Sequence, residues 1–105
     1  MTLQILNRQN SLLNAFLNEI RNVELQNDRM RFRRNLERVG EIMAYEISKT
    51  FSYVPQTIQT PINPAEVNLP AQDVVIATVL RAGLPFHQGF LNYFDRAESA
   101  FISAP

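Results

Sequence analysis

A chain of 105 residues is at most one ordinary domain, able to bury about two thirds of its unfolded surface. Ten basic residues balance ten acidic ones in a sequence that is 46% hydrophobic and 19% charged, so neither an acidic tail nor a general nucleic-acid-binding surface is indicated, and the absence of cysteine excludes disulfides and thiolate chemistry. No basic segment precedes a continuous apolar core near the start, and no window approaches the ~20 apolar residues that span a bilayer, which predicts a soluble, intracellular protein with no signal peptide and no membrane segment.

Met1 to Asn10 is polar and mixed and reads as a partly ordered arm. From there Leu12, Leu13, Phe16, Leu17 and Ile20 recur at helical spacing behind Ser11, which predicts a helix over about 11–21 with Ser11 as its N-cap. Val23 to Gln26 breaks the period and Asn27-Asp28 offers the next cap. Phe32, Leu36, Val39, Met43, Ile47 and Phe51 then mark one face of a longer helix over about 28–51. Gly40 lies inside it; a mid-helix glycine costs roughly 1 kcal/mol against alanine, and its presence predicts close approach of a neighbouring element. Arg29, Arg31, Arg33, Arg34 and Arg38 on this helix suggest contacts to successive phosphates of a nucleic acid, but Glu37 and Glu41 stand three or four residues from Arg33, Arg34 and Arg38, and a solvated face of ordinary pairs is the better reading.

Between Phe51 and Gln72 fall four of the six prolines, Pro55, Pro61, Pro64 and Pro70, and the segment reads as a connector. Within it Thr57 to Ile62 alternates like a strand, which Pro61 confines to a sheet edge. Val74-Val-Ile-Ala-Thr-Val-Leu80 has no polar alternation and predicts a strand buried on both faces, the kind found in helix-covered parallel sheets. Pro85 suits the first turn of a helix over about 84–94, with Phe86, Phe90 and Tyr93 or Phe94 on its apolar side. A last strand over about 99–104 completes one βαβ unit. The fold class expected is therefore α/β: N-terminal helices plus the first half of a parallel sheet, an incomplete doubly wound domain within which residues 1–105 form a single part.

Leu80-Arg81-Ala82-Gly83-Leu84 follows the apolar strand and leads into His87-Gln88-Gly89 on the next helix. In open α/β sheets ligands bind beyond the carboxyl ends of the strands, where loop N–H groups and a helix N-terminus face an anion. This stretch resembles the pyrophosphate loop of uracil phosphoribosyltransferases, whose pattern is roughly Val-Val-Pro-Ile-Leu-Arg-Ala-Gly-Leu. Upstream, Arg31-Phe32-Arg33, then Tyr45-Glu46, then Thr60-Pro61 resemble the Arg-Phe-Arg, Tyr-Glu-Ala and Thr-Pro marks of the same family in the same order. The resemblance covers most of the chain from Arg31 onward, and it implies a phosphoribosyltransferase-like sheet.

It also implies an activity: transfer of phosphoribose from phosphoribosyl pyrophosphate to uracil, with Mg²⁺ carried by the substrate, a homo-oligomer in the cytoplasm, and no nucleic-acid or membrane partner. Arg81 would hold the pyrophosphate through paired guanidinium hydrogen bonds, with Ala82 and Gly83 supplying backbone N–H groups. The plainer alternative is that Arg81 caps a strand end and pairs with an acidic neighbour. His87, the only histidine, has neither the metal-ligand company nor the triad spacing of a catalytic group, and reads as a surface or supporting residue. The family's ribose-phosphate signature, roughly Asp-Pro-Met-Leu-Ala-Thr-Gly-Gly, does not occur, since the only glycines are Gly40, Gly83 and Gly89. The uracil hood is missing too, and Ala104-Pro105 stands where the family has a Tyr-Arg pair. The expectation is an N-terminal part of such an enzyme, inactive by itself. Rivals are a phosphoribosyltransferase for another base, a pyrimidine-operon regulator, and a non-catalytic interaction module.

Overall fold

The computed structural model describes residues 5–25, 27–80 and 83–103. A 3₁₀ turn at Leu6–Arg8 leads into helix α1 (Leu12–Arg21), and Ser11 caps it by accepting from the Leu13 N–H at 3.2 Å. Of the predicted apolar face, Leu13 is buried but Leu12 points outward, 73% exposed. Helix α2 (Arg29–Ser48) begins at Asp28, whose carboxylate accepts from the Arg31 N–H at 3.0 Å. It ends three residues before the predicted limit at Phe51. Lys49, Thr50 and Phe51 leave the helix through bonds to the carbonyls of Glu46, Ile47 and Ser48, which turns the Phe51 ring onto Phe94 with centroids 5.6 Å apart.

The proline-rich connector is a β-hairpin. Strands β1 (Tyr53–Gln59) and β2 (Pro64–Pro70) pair antiparallel, with Val54 opposite Leu69 and Ile58 opposite Ala65. The single edge strand expected over 57–62 is thereby corrected: its second half is the hairpin turn, where the Thr60 N–H donates to Asn63 O at 3.2 Å and the Asn63 N–H to Thr60 Oγ1 at 3.1 Å. Three prolines fit because Pro64 and Pro70 lie at the ends of β2 and Pro55 lies in a two-stranded sheet, each of whose strands has a free edge. The hairpin is braced at its root by Ala71 N–H to Ser52 O and Tyr53 Oη–H to Ser48 O, at 2.9 and 2.8 Å.

Strand β3 (Val75–Leu80), helix α3 (Leu84–Tyr93) and strand β4 (Glu98–Ser103) form the βαβ unit, and the strands pair parallel with Ile76 opposite Ser99 and Thr78 opposite Phe101. The predicted strand residue Ala104 lies outside the described residues. Burial of β3 on both faces is corrected to burial on one. Ile76 is buried and Val74, Thr78 and Leu80 are half-buried beneath α3, whereas Val75 and Val79 on the other face are 63% and 54% exposed. An unalternating apolar run is what two covered faces require, and here the helices cover only one. α3 in turn packs on α2 where two glycines meet. A Cβ on Gly40 would lie 3.2 Å from the Gly89 Cα, and a Cβ on Gly89 would lie 2.9 Å from both the Gly40 Cα and the Glu41 nitrogen. The close approach that Gly40 predicts is therefore that of α3. It leaves the apolar face of α2 largely covered within the chain, with Val39 and Ala44 buried and Ile47 42% exposed.

Candidate anion-binding turn and its supports

Strand β3 ends at Leu80, and three residues later Gly83 serves as the N-cap of α3. The two residues between, Arg81 and Ala82, carry most of the expected site and lie outside the described residues. Gly83 is placed: it has φ −77° and ψ −5°, and its carbonyl accepts from the His87 N–H at 2.8 Å, closing the first turn of α3. Glycine is needed there for space. A Cβ would come within 2.8 Å of Thr78 Cγ2 and 3.0 Å of the Val79 carbonyl, so Gly83 lies close against strand β3.

No side chain caps α3 at Gly83. The first N–H groups of a helix have no intrahelical acceptor, and Pro85 in that turn has no N–H to satisfy. Helix α3 thus begins, three residues after β3 ends, without a side-chain oxygen at its cap position. This is the geometry in which a helix N-terminus receives an oxyanion.

The arginines of α2 lie beside this turn. Arg31, Arg33, Arg34 and Arg38 border an open groove of ≈ 720 Å³ whose opposite wall includes Leu84, Pro85 and Gln88 of α3. Their pairings are those of a solvated face, though with other partners than expected. Arg34 reaches Glu37 at 3.8 Å, but Arg31 reaches Glu19 of α1 at 3.1 Å and Asp28 at 3.8 Å, and among the described residues Glu41 forms no ion pair. Arg38 lies over the Phe16 ring, 5.2 Å from its centroid, and donates to Asn35 Oδ1 at 3.0 Å. Asn35 is fully buried and donates to Glu19 Oε2 at 2.6 Å, so Glu19, Asn35, Arg31 and Arg38 form one network that fastens α1 to α2. The periodic pattern gave no sign of it, because Asn35 sits beside the apolar stripe of α2 and its partner is 16 residues away.

Of the surface and supporting readings of His87, the surface one is corrected. His87 is 5% exposed, not a surface residue, and it bridges both strands: Nδ1 is 2.5 Å from Thr78 Oγ1 of β3, and Nε2 is 3.0 Å from Ser99 Oγ of β4. Its ring also lies 5.0 Å from that of Phe101. The spacing of a helix residue to hydroxyls 9 and 12 positions away holds no periodic signal, since only the βαβ crossover brings them together. Among the described residues no three His, Asp or Glu side chains gather as a metal site, and no helix is long and apolar enough to cross a membrane.

Comparison with known proteins bears on the same residues. The profile of the family described as uracil phosphoribosyltransferase matches residues 7–104. A curated uracil phosphoribosyltransferase from Porphyromonas gingivalis is 61% identical over 99 residues, covering 94% of this chain and 46% of the relative. Those of Methanococcus maripaludis and Pyrococcus furiosus are 36% and 37% identical over 90 and 79 residues, covering 84% and 73% of this chain and 38% and 34% of theirs. The chain thus spans about half the length, or less, of the curated relatives it matches. Among solved structures, the AQ2163 protein from Aquifex aeolicus superimposes with a TM-score of 0.74 at 23% identity, over 96% of this chain and 47% of that one, a likeness of fold.

Proposed function

Because the chain belongs to the uracil phosphoribosyltransferase family, we propose that its protein transfers the phosphoribosyl group of phosphoribosyl pyrophosphate to N1 of uracil, yielding uridine monophosphate and pyrophosphate in pyrimidine salvage. The observation that carries this reading is positional. Leu80, Gly83 and Leu84, the described members of the resembling pyrophosphate loop, stand where β3 ends and α3 begins, within a match that runs from residue 7 to residue 104.

In this reading Arg81 grips the pyrophosphate and Ala82 and Gly83 add backbone N–H groups. Mg²⁺ arrives as part of the substrate, chelated by its phosphates. As the bond from C1′ to the pyrophosphate oxygen breaks, negative charge gathers on the leaving group and positive charge on the ribose. A fixed guanidinium and oriented N–H groups stabilise the first of these more in the transition state than in the ground state. Uracil N1 then closes the new bond at C1′ and loses its proton. Contacts to the 5′-phosphate, the ribose hydroxyls and the base fall to residues other than the 105 described by this sequence, so a polypeptide of these residues alone is expected to form no uridine monophosphate. The reading includes a cytoplasmic location, since the highly charged sugar phosphate does not cross membranes. It also includes self-association, for which both strands of the hairpin and both of the βαβ unit offer unpaired edges.

The test is an assay of the full-length gene product with labelled uracil and phosphoribosyl pyrophosphate. Uridine monophosphate formation supports the reading. Turnover with another base only would move the protein to a different specificity, and pyrophosphate binding without turnover of any base would favour a regulatory role. Sedimentation tests the assembly: a monomer at all concentrations would overturn that part.

A further inference from the structure

The buried imidazole of His87 is used by nothing in the proposed reaction, yet it contacts Thr78, the strand residue whose methyl lies against Gly83. Thr78 is β-branched, so one rotation places both of its branches. Its hydroxyl lies 2.5 Å from His87 Nδ1, and its methyl, Cγ2, lies against Gly83, where even a Cβ would come within 2.8 Å. Rotating the hydroxyl away from the imidazole would swing the methyl off Gly83 or into it. The second ring nitrogen is tied to Ser99 on β4, and the ring rests on Phe101 of the same strand, so the imidazole has little freedom of its own.

We propose that His87 is a positioning residue for pyrophosphate binding: through the rotamer of Thr78 it sets where Gly83 meets the phosphates. This rests on the reading given under Proposed function and deepens it. A neutral imidazole offers one donor and one acceptor, and a hydroxyl offers both, so the Thr78–His87–Ser99 chain is satisfied in either tautomer. Replacing the ring by an apolar side chain leaves the hydroxyl of half-buried Thr78 without its imidazole partner and Thr78 free to turn. The effect falls on the step at which the turn meets the ligand, which is donor binding, and less on bond breaking once the donor is held.

The experiment uses the full-length protein and separates positioning from mere sheet glue by geometry. An asparagine amide reaches the place of Nδ1 but not that of Nε2, whereas glutamine reaches farther, toward Ser99. His87→Leu, His87→Gln and the near-isosteric Thr78→Val are expected to raise KM for phosphoribosyl pyrophosphate about ten-fold, with kcat changed by about three-fold or less, the scale of one lost hydrogen bond. His87→Asn should recover KM to within about three-fold of the wild type, and Ser99→Ala should leave KM near the wild-type value while lowering Tm. Pyrophosphate affinity by calorimetry should follow the same order. If Thr78→Val and His87→Leu keep the wild-type KM, or if His87→Asn is no better than His87→Gln, the proposal falls and His87 is structural only. A wild type that neither binds pyrophosphate nor turns over removes the functional reading and this inference with it; an active wild type whose variants match it removes this inference alone.

Discussion

Alanine at an exposed helical glycine stabilises a protein by up to about 1 kcal/mol, so Gly89→Ala on α3 offers a test in which the sign of the effect decides. At this position the new Cβ would overlap the Glu37 carbonyl of α2 and come within 2.9 Å of both the Glu41 nitrogen and the Gly40 Cα. All three are backbone atoms of a helix and cannot rotate aside. The two helices must separate, and overpacking of this kind costs about 1–3 kcal/mol, occasionally more. With three backbone atoms in the way the cost belongs to the upper part of that range, about 2–3 kcal/mol, and subtracting the gain in helix propensity of about 1 kcal/mol leaves a net loss of ~1–2 kcal/mol. For a domain near this size each 1 kcal/mol moves Tm by roughly 4–8 °C, so a fall of about 5–15 °C is expected by circular dichroism. Gly40→Ala should lose less, because its closest contacts are longer than those at Gly89: the Phe86 carbonyl, then the Gly89 Cα at 3.2 Å and the edge of the Phe86 ring at 3.4 Å. The double variant should lose less than the sum, since a crossing already opened by one methyl accommodates the second. A Gly89→Ala protein as stable as the wild type, or more so, would show that the helices do not meet there.

Three further outcomes follow from named contacts. Asn35→Leu should lower stability by about 1–3 kcal/mol in denaturant titration despite its apolar gain, because it strips a donor from the Glu19 carboxylate and an acceptor from Arg38; unchanged stability would dissolve the proposed α1–α2 network. Asp28→Ala should cost about 1 kcal/mol through loss of the cap on the Arg31 N–H, read as a lower denaturation midpoint with an unchanged slope. Arg81→Ala should abolish pyrophosphate binding, for which a lone site of one arginine and a few N–H groups gives a roughly millimolar constant, about 4 kcal/mol. Arg34→Ala should leave it intact, and equal binding by the Arg81 variant would move the site elsewhere.

The α/β class and the parallel βαβ unit were legible because both are written locally. Ser11 and Asp28 are capping residues at their expected places, and Gly40 announced a close neighbour by standing where a helix least tolerates it. The hairpin was illegible for an equally local reason: proline density signals a connector, and only the pairing of Tyr53–Gln59 with Pro64–Pro70 shows that each strand keeps a free edge for it. Length and apolarity of the Val74–Leu80 run identified a strand, but they speak of two faces, and which face the helices take depends on α3 docking over Ile76 and Thr78. The partners of Asn35 and His87 depend wholly on such docking. Arg81 and Ala82 retain their sequence assignment as expectations. Gly83 shares that standing, and behind it the structure places Thr78 and His87.

These supports are connected through α3 itself. On a helix, residues two apart point about 200° around the axis from each other, so His87 and Gly89 face nearly opposite ways. His87 faces the sheet through Thr78 and Ser99, and Gly89 faces α2. The helix is thus clamped between a polar contact and a steric one. A methyl added at Gly89 pushes α3 away from α2, toward the side on which His87 meets Thr78. Gly89→Ala should therefore raise KM for phosphoribosyl pyrophosphate more than Asn35→Leu does, even where the two variants lose the same stability, because Gly89 is part of α3, the helix that starts at Gly83, whereas Asn35 ties α2 to α1 through Glu19. Steady-state kinetics of the two full-length variants, at a temperature where both remain folded, measure this. Equal KM values would mean that the glycine crossing holds the fold together without reaching the anion-binding turn.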